Sequence, residues 1–143
     1  MSKARELANL RGTPTDSNIL LQSTAGDAIT GGSGTYNFFA GSNAGGAVTT
    51  GDDNIAIGQT ALGVGVVTGC RNVAIGELAL GVAITTGSDN TAIGRAAMDA
   101  LTTGYNNVGL GPYALGASTT GCLNIAIGSS AIEVSTTGCM NVA

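Results

Sequence analysis

The chain has 143 residues, 24 of them Gly, with 3% aromatic and 10% charged residues and a net charge of -4. Apolar residues reach 43%, too many for a disordered chain. They are Ala, Val, Ile and Leu rather than large rings, which suits a narrow interior built from strands. No basic stripe is present to release counterions, which argues against a nucleic-acid partner. No run of about 18 apolar residues is present to span a membrane.

The first segment, residues 2–11 (SKARELANLR), reads as a helix, with Ala4, Leu7, Ala8 and Leu10 at helical spacing. Ser2 is placed to cap it, and Gly12 and Pro14 end it. Lys3, Arg5, Glu6 and Arg11 sum to +2, leaving -6 for the rest. A helix this short is unstable alone, so Leu7 and Leu10 are expected to anchor it to sister copies or to another surface. The opening residues lack the apolar core of a secretion signal. Residues 12–17 form a linker, so residues 1–17 read as an anchoring unit and 18–143 as the main body.

That body is a repeat. Asn37, Asn54, Asn72, Asn90, Asn107, Asn124 and Asn141 follow one another at 17, 18, 18, 17, 17 and 17 residues. Around them stand NIAIGQTAL, NVAIGELAL, NTAIGRAAM, NVGLGPYAL and NIAIGSSAI, and a Gly lies three residues before each Asn. Asn18-Ile19-Leu20-Leu21 reads as a degenerate first turn. A fixed short period means stacked turns of backbone. The fold class expected is therefore all-β, a parallel β-roll or β-solenoid of 17–18-residue coils. The array stops in mid-repeat at Asn141-Val142-Ala143 without a polar capping repeat. The expectation is that the chain continues, or that another molecule covers that end.

Side chains alternate along a strand. Ile55 and Ile57, with their equivalents, are expected to fill the interior. Leu62, Leu80, Met98, Leu115 and Ile132 form a second interior stripe, and Val48, Val66, Ile84, Leu101, Ser118 and Ser135 a third. The Gly before each Asn is expected to turn corners at positive φ. Asn37, Asn54, Asn72, Asn90, Asn107 and Asn124 would stack as a hydrogen-bonded ladder. The opposite face carries Ala56, Ala74, Ala92, Gly109 and Ala126. Such a smooth strip left in water is a liability, so it is expected to pack against sister chains as an inter-chain face. The alternative is that it lines a flattened interior of the same chain.

Cys70, Cys122 and Cys139 share one slot with Asp52, Ser88 and Tyr105, an exposed turn by its tolerance. Cys122 and Cys139 lie one period apart, about 5 Å if stacked, so a disulfide between them is possible. The chain has no His, which removes Ser-His and Cys-His nucleophile pairs and weakens any zinc reading. The GGSG at residues 31–34 lacks a following Lys and reads as a turn. Asp52-Asp53 lacks calcium-loop spacing and reads as a solvated turn. No enzyme, metal or cofactor is expected.

The NxAIGxxA run with TTG-type turns, over about residues 34–143, resembles the head repeats of trimeric autotransporter adhesins. It resembles still more closely the TGxxNxAIGxxAL arrays of phage tail-fibre proteins. The resemblance implies a left-handed parallel β-roll, three chains to a head. The opening MSKARELANL is also similar to the starts of some marine-phage fibre proteins. Two departures are the 17–18-residue period, longer than in many adhesin heads, and the missing membrane anchor and long coiled-coil stalk. They shift weight toward a virion fibre. The expected function is thus a homotrimeric structural shaft in a virion. A tail or capsid protein would hold its N-terminus, and a host surface receptor would meet its distal end. The alternatives are a self-assembling extracellular filament or a bacterial surface adhesin, placing the protein outside the cell or on its surface, and an ice-binding solenoid built on the recurring Thr pairs.

Overall fold

A computed structural model of the chain describes residues 10–11, 18–22, 24–29, 34–82 and 85–143. It is all-β, and no helix occurs among the described residues. Strands β1 (Leu10–Arg11), β2 (Ile19–Leu21), β3 (Phe38–Ala40), β4 (Ile55–Ile57), β5 (Val73–Ile75), β6 (Thr91–Ile93), β7 (Val108–Leu110) and β8 (Ile125–Ile127) form one sheet in chain order. From β2 to β8 every pairing is parallel and in register one repeat apart, as in Ile55↔Val73 and Val73↔Thr91. The result is a β-solenoid of about six turns. The end of the expected N-terminal helix is corrected: Leu10 and Arg11 pair antiparallel with Leu21 and Leu20. An extended segment satisfies the free edge of β2, which a helix could not do. Leu7 and the rest of the expected helix lie outside the described residues.

Each turn hands its backbone hydrogen bonds to the next. Phe38 N donates to Asn54 O at 2.9 Å, Ile55 N to Asn72 O at 2.8 Å and Val73 N to Asn90 O at 2.8 Å. Buried amides must be paired, and a 17–18-residue turn meets that demand by pairing with its neighbours and through short turns of its own, as in Val48 N to Gly45 O at 3.0 Å.

The two strand faces are the reverse of the sequence expectation. Ala56, Ala74, Ala92 and Ala126 are 0% exposed and belong to the core. Ile55, Ile57, Ile93 and Ile125 lie outside, 37–39% exposed. The reason is volume. Leu62, Leu80, Met98 and Leu115 reach into the coil from the opposite wall and are fully buried, as expected of the second stripe. Ala44, Ala61, Ala79, Ala97 and Ala114 are buried beside them. With Leu on one wall, the facing strand has room only for Ala or Gly. At Gly109, an added Cβ would meet Met98 Cε at 3.0 Å.

The third stripe is shifted in the middle turns. Val67 and Thr85 are buried, not Val66, which is 49% exposed; Ile84 lies outside the described residues. Bridges Val48↔Val67 and Val67↔Thr85 fix this register. In both 18-residue steps the inward residue stands two before the next Gly, whereas Val48, Leu101 and Ser118 stand three before theirs.

The glycines also act differently from expectation. At Gly58, Gly76, Gly94, Gly111 and Gly128, which follow the strands, φ lies between +127 and +138°. A Cβ on Gly58 would sit 2.7 Å from the carbonyl of Gly76 one turn on, so no other residue fits. The glycines that precede the Asn residues are needed mostly for close approach: a Cβ on Gly121 would sit 2.7 Å from Gly138 O. Of this set only Gly34 has positive φ (+70°) among those described. The left-handed corner between Gly and Asn is carried instead by Tyr36, Asp53, Arg71, Asp89, Asn106, Leu123 and Met140.

Candidate assembly face

The Asn residues are the internal spine of the rod. Asn37, Asn54, Asn72, Asn90, Asn107 and Asn124 are at most 1% exposed. Each Oδ1 accepts the backbone N–H of the Asn one turn on, from Asn54 N to Asn37 Oδ1 at 2.8 Å through Asn124 N to Asn107 Oδ1 at 3.0 Å. Each Nδ2 donates to the Gly carbonyl of that next turn, as in Asn72 to Gly87 O at 2.9 Å and Asn107 to Gly121 O at 2.7 Å. Asn18 makes the first rung, accepting Asn37 N at 2.7 Å. Asn supplies an acceptor and a donor on one short side chain, and this site uses both.

The predicted inter-chain residues Ala56, Ala74, Ala92, Gly109 and Ala126 are all buried within their own chain. They are therefore corrected from an inter-chain face to a core wall. The exposed apolar face is the one that sequence reasoning placed inside. From β2 to β8 it presents two side chains per strand, running from Ile19 and Leu21 to Ile125 and Ile127, and Thr91 is its one polar member. Ile19, Ile57 and Ile127 are 49%, 37% and 62% exposed. Seven strands spaced ~4.8 Å apart and three residues wide give a strip of roughly 300 Å². That footprint, before side-chain relief is counted, already reaches the size of the largest apolar patches of monomeric proteins.

The rims of this strip are polar at its middle. On one side the corner residues Asp53, Arg71 and Asp89 succeed each other. Arg71 Nε meets Asp89 Oδ1 at 2.6 Å and Nη2 meets Oδ2 at 2.9 Å. The Arg71 guanidinium, chiefly through this hydrogen bond, holds the Asp89 carboxyl below its usual range. On the other side stand Gln59, Glu77 and Arg95; the Arg95 guanidinium lies over the Tyr113 ring, 4.8 Å from its centroid, and donates to the Tyr113 hydroxyl. Toward β8 the strip widens, because Leu123 (47% exposed) and Met140 (76%) replace the charges at the corner.

A second ladder escaped the sequence reading. In the slot of Asp52, Cys70, Ser88, Tyr105, Cys122 and Cys139, the side chains of Asp52, Cys70, Ser88 and Cys139 accept a backbone N–H of the preceding turn. Thr35 N donates to Asp52 Oδ1 at 2.7 Å, Cys70 N to Ser88 Oγ at 3.0 Å and Cys122 N to Cys139 Sγ at 3.3 Å. The recurrence of short side chains carrying O or S was the available signal. The Thr pairs split as alternation requires. Thr50, Thr68, Thr86, Thr103, Thr120 and Thr137 form a single exposed row. Thr102 and Thr119 hydroxyls donate to carbonyls one turn on, at 2.9 and 3.1 Å.

Among the described residues no group of three His, Cys, Asp or Glu is placed to hold a metal ion, and no helix is long and apolar enough to cross a membrane. Comparison of the chain with protein-family models, with curated proteins and with solved structures finds no match.

Proposed function

We propose that this protein is a non-enzymatic structural shaft, assembled as a homotrimer through the exposed Ile/Val face of its parallel sheet. The observation that carries the reading is that face: apolar, continuous over seven strands and polar at its middle rims. Burying about 25 cal/mol per Å² of apolar surface favours such a strip meeting its own kind. The copy number of three, and the placement in a virion fibre with the N-terminus on a tail or capsid protein and a host receptor at the far end, come from the resemblance to phage tail-fibre and adhesin-head repeats. The rigid spine of Asn rungs and backbone bonds supports a spacer role, since every turn is tied to the next by the same contacts.

Native mass measurement of the purified chain should report three copies. Ile57→Arg, placed on the face without entering the core, should yield a folded single chain. A wild-type chain that stays monomeric at tens of micromolar would sink the reading. Ordered polymer growing with concentration would favour the filament alternative instead.

A further inference from the structure

Three cysteines share the stacked slot, but only two are neighbours. Cys122 and Cys139 lie in successive turns, and Cys122 N donates to Cys139 Sγ at 3.3 Å. That contact sets the Cys139 sulfur beside the main chain of Cys122. The spacing of adjacent parallel turns, ~4.8 Å, falls inside the Cα separation that disulfides span, ~4.4–6.8 Å. Both thiols are solvent-accessible free thiols, Cys139 the more exposed. The Cys122 thiol is pushed up from its ordinary value, first by its hydrogen bond with Cys139. Cys70 has Asp52 and Ser88 as slot neighbours and hence no thiol partner.

We infer that Cys122 and Cys139 form an intrachain disulfide staple across the last two turns when the chain meets a low-molecular-weight disulfide. The Cys139 thiolate attacks one sulfur of glutathione disulfide, forming a mixed disulfide and releasing one glutathione thiolate. The Cys122 thiolate then attacks the Cys139 sulfur, the protein S–S bond forms, and the second glutathione leaves. Two protein thiols lose two protons and two electrons, and glutathione disulfide is reduced to two thiols.

The staple sits where the interior is weakest. The stripe that holds Val48, Val67 and Leu101 higher up becomes Ser118 and Ser135 here, and Ser118 Oγ is buried without a hydrogen-bond partner. A covalent tie between these turns replaces packing that the core does not supply, and it closes only the short loop from Cys122 to Cys139.

The test is to incubate the full-length chain with glutathione disulfide, alkylate the remaining thiols, and map peptides without reduction. The expected product has one Cys122–Cys139 bond within a chain and an alkylated Cys70. Its melting temperature should fall on the order of 5–10 °C on reduction. Cys122→Ser and Cys139→Ser should abolish that redox shift, and Cys70→Ser should keep it. Ser88 already occupies this slot in a native turn, so the Ser variants are expected to fold. Three alkylated thiols after oxidation, glutathione adducts alone, or a bond between chains would each overturn the inference.

Discussion

Phe39 and Gly45 are two halves of one packing solution. Phe39 is fully buried in the strand position that holds Ala56 in the next turn, and Gly45 occupies the position of Leu62. A Cβ on Gly45 would fall inside the van der Waals envelope of the Phe39 ring. One turn fills the coil with Phe plus Gly, the next with Ala plus Leu. Gly45→Leu alone should overpack the coil, and Phe39→Ala alone should cost about 3–5 kcal/mol. The double variant should recover most of both losses, with a coupling of about 2–3 kcal/mol. Urea unfolding of the four proteins measures it, and simple additivity would refute the pairing.

The Asn rungs are expected to be the least replaceable side chains. Asn90 donates from Nδ2 to Gly104 O at 2.9 Å, and its Oδ1 accepts Asn107 N at 3.1 Å. Asn90→Ala should leave both backbone groups buried and unpaired, at about 1–3 kcal/mol each. Asn90→Asp should lose more at pH 7 than at pH 4, because the buried carboxylate must be desolvated. Thermal unfolding at the two pH values checks both.

Adjacent residues on β6 should behave in opposite ways. Ala92 is sealed in the core and Ile93 is 39% exposed. Ala92→Arg should prevent folding, seen as loss of the β-type circular dichroism. Ile93→Arg should keep that signal and change only the state of association.

Ser118 leaves a buried hydroxyl without a partner, in a stripe where Val48 is found two such positions before Thr85 and Leu101 directly precedes it. Ser118→Val removes the polar group and adds apolar volume. It should stabilise the chain by about 1–2 kcal/mol, read as a rise in melting temperature. A drop would mean that the site is too tight for the extra methyl.

Two carboxylates give pH dependences of opposite sign. The Asp89 carboxyl is lowered, first by its hydrogen bond from Arg71. The stability it adds is present above the ordinary carboxylate value of 3.8 and is lost as pH falls through the lower folded value. The Asp99 carboxyl is raised, first by burial. Its folded form holds the proton more tightly, so stability falls as pH rises from 3.8 through the folded value. Asp99→Asn should therefore melt higher than wild type at pH 7 and converge with it near pH 3. Asp89→Asn should melt slightly lower at pH 7, a small effect at an exposed pair.

The sequence by itself determined the period, the coil, the Leu stripe and the Asn spine. Each of these rests on one residue meeting its own counterpart one turn away, so spacing along the chain is enough to state the contact. Alternation also showed that each strand has an Ala face and an Ile face, but it carries no information on which one turns inward. Only the tertiary structure decided that, because the answer depends on the volume arriving from the opposite wall. Leu62 and its equivalents take the space that Ile55 and Ile57 would have needed, so Ala56 goes in and the Ile pair goes out. The same holds for Val67, which turns inward and pairs with Val48 and Thr85 where spacing alone had put Val66. The exposed apolar face was therefore present in the sequence as a pattern, and the packing of the coil assigned it a side.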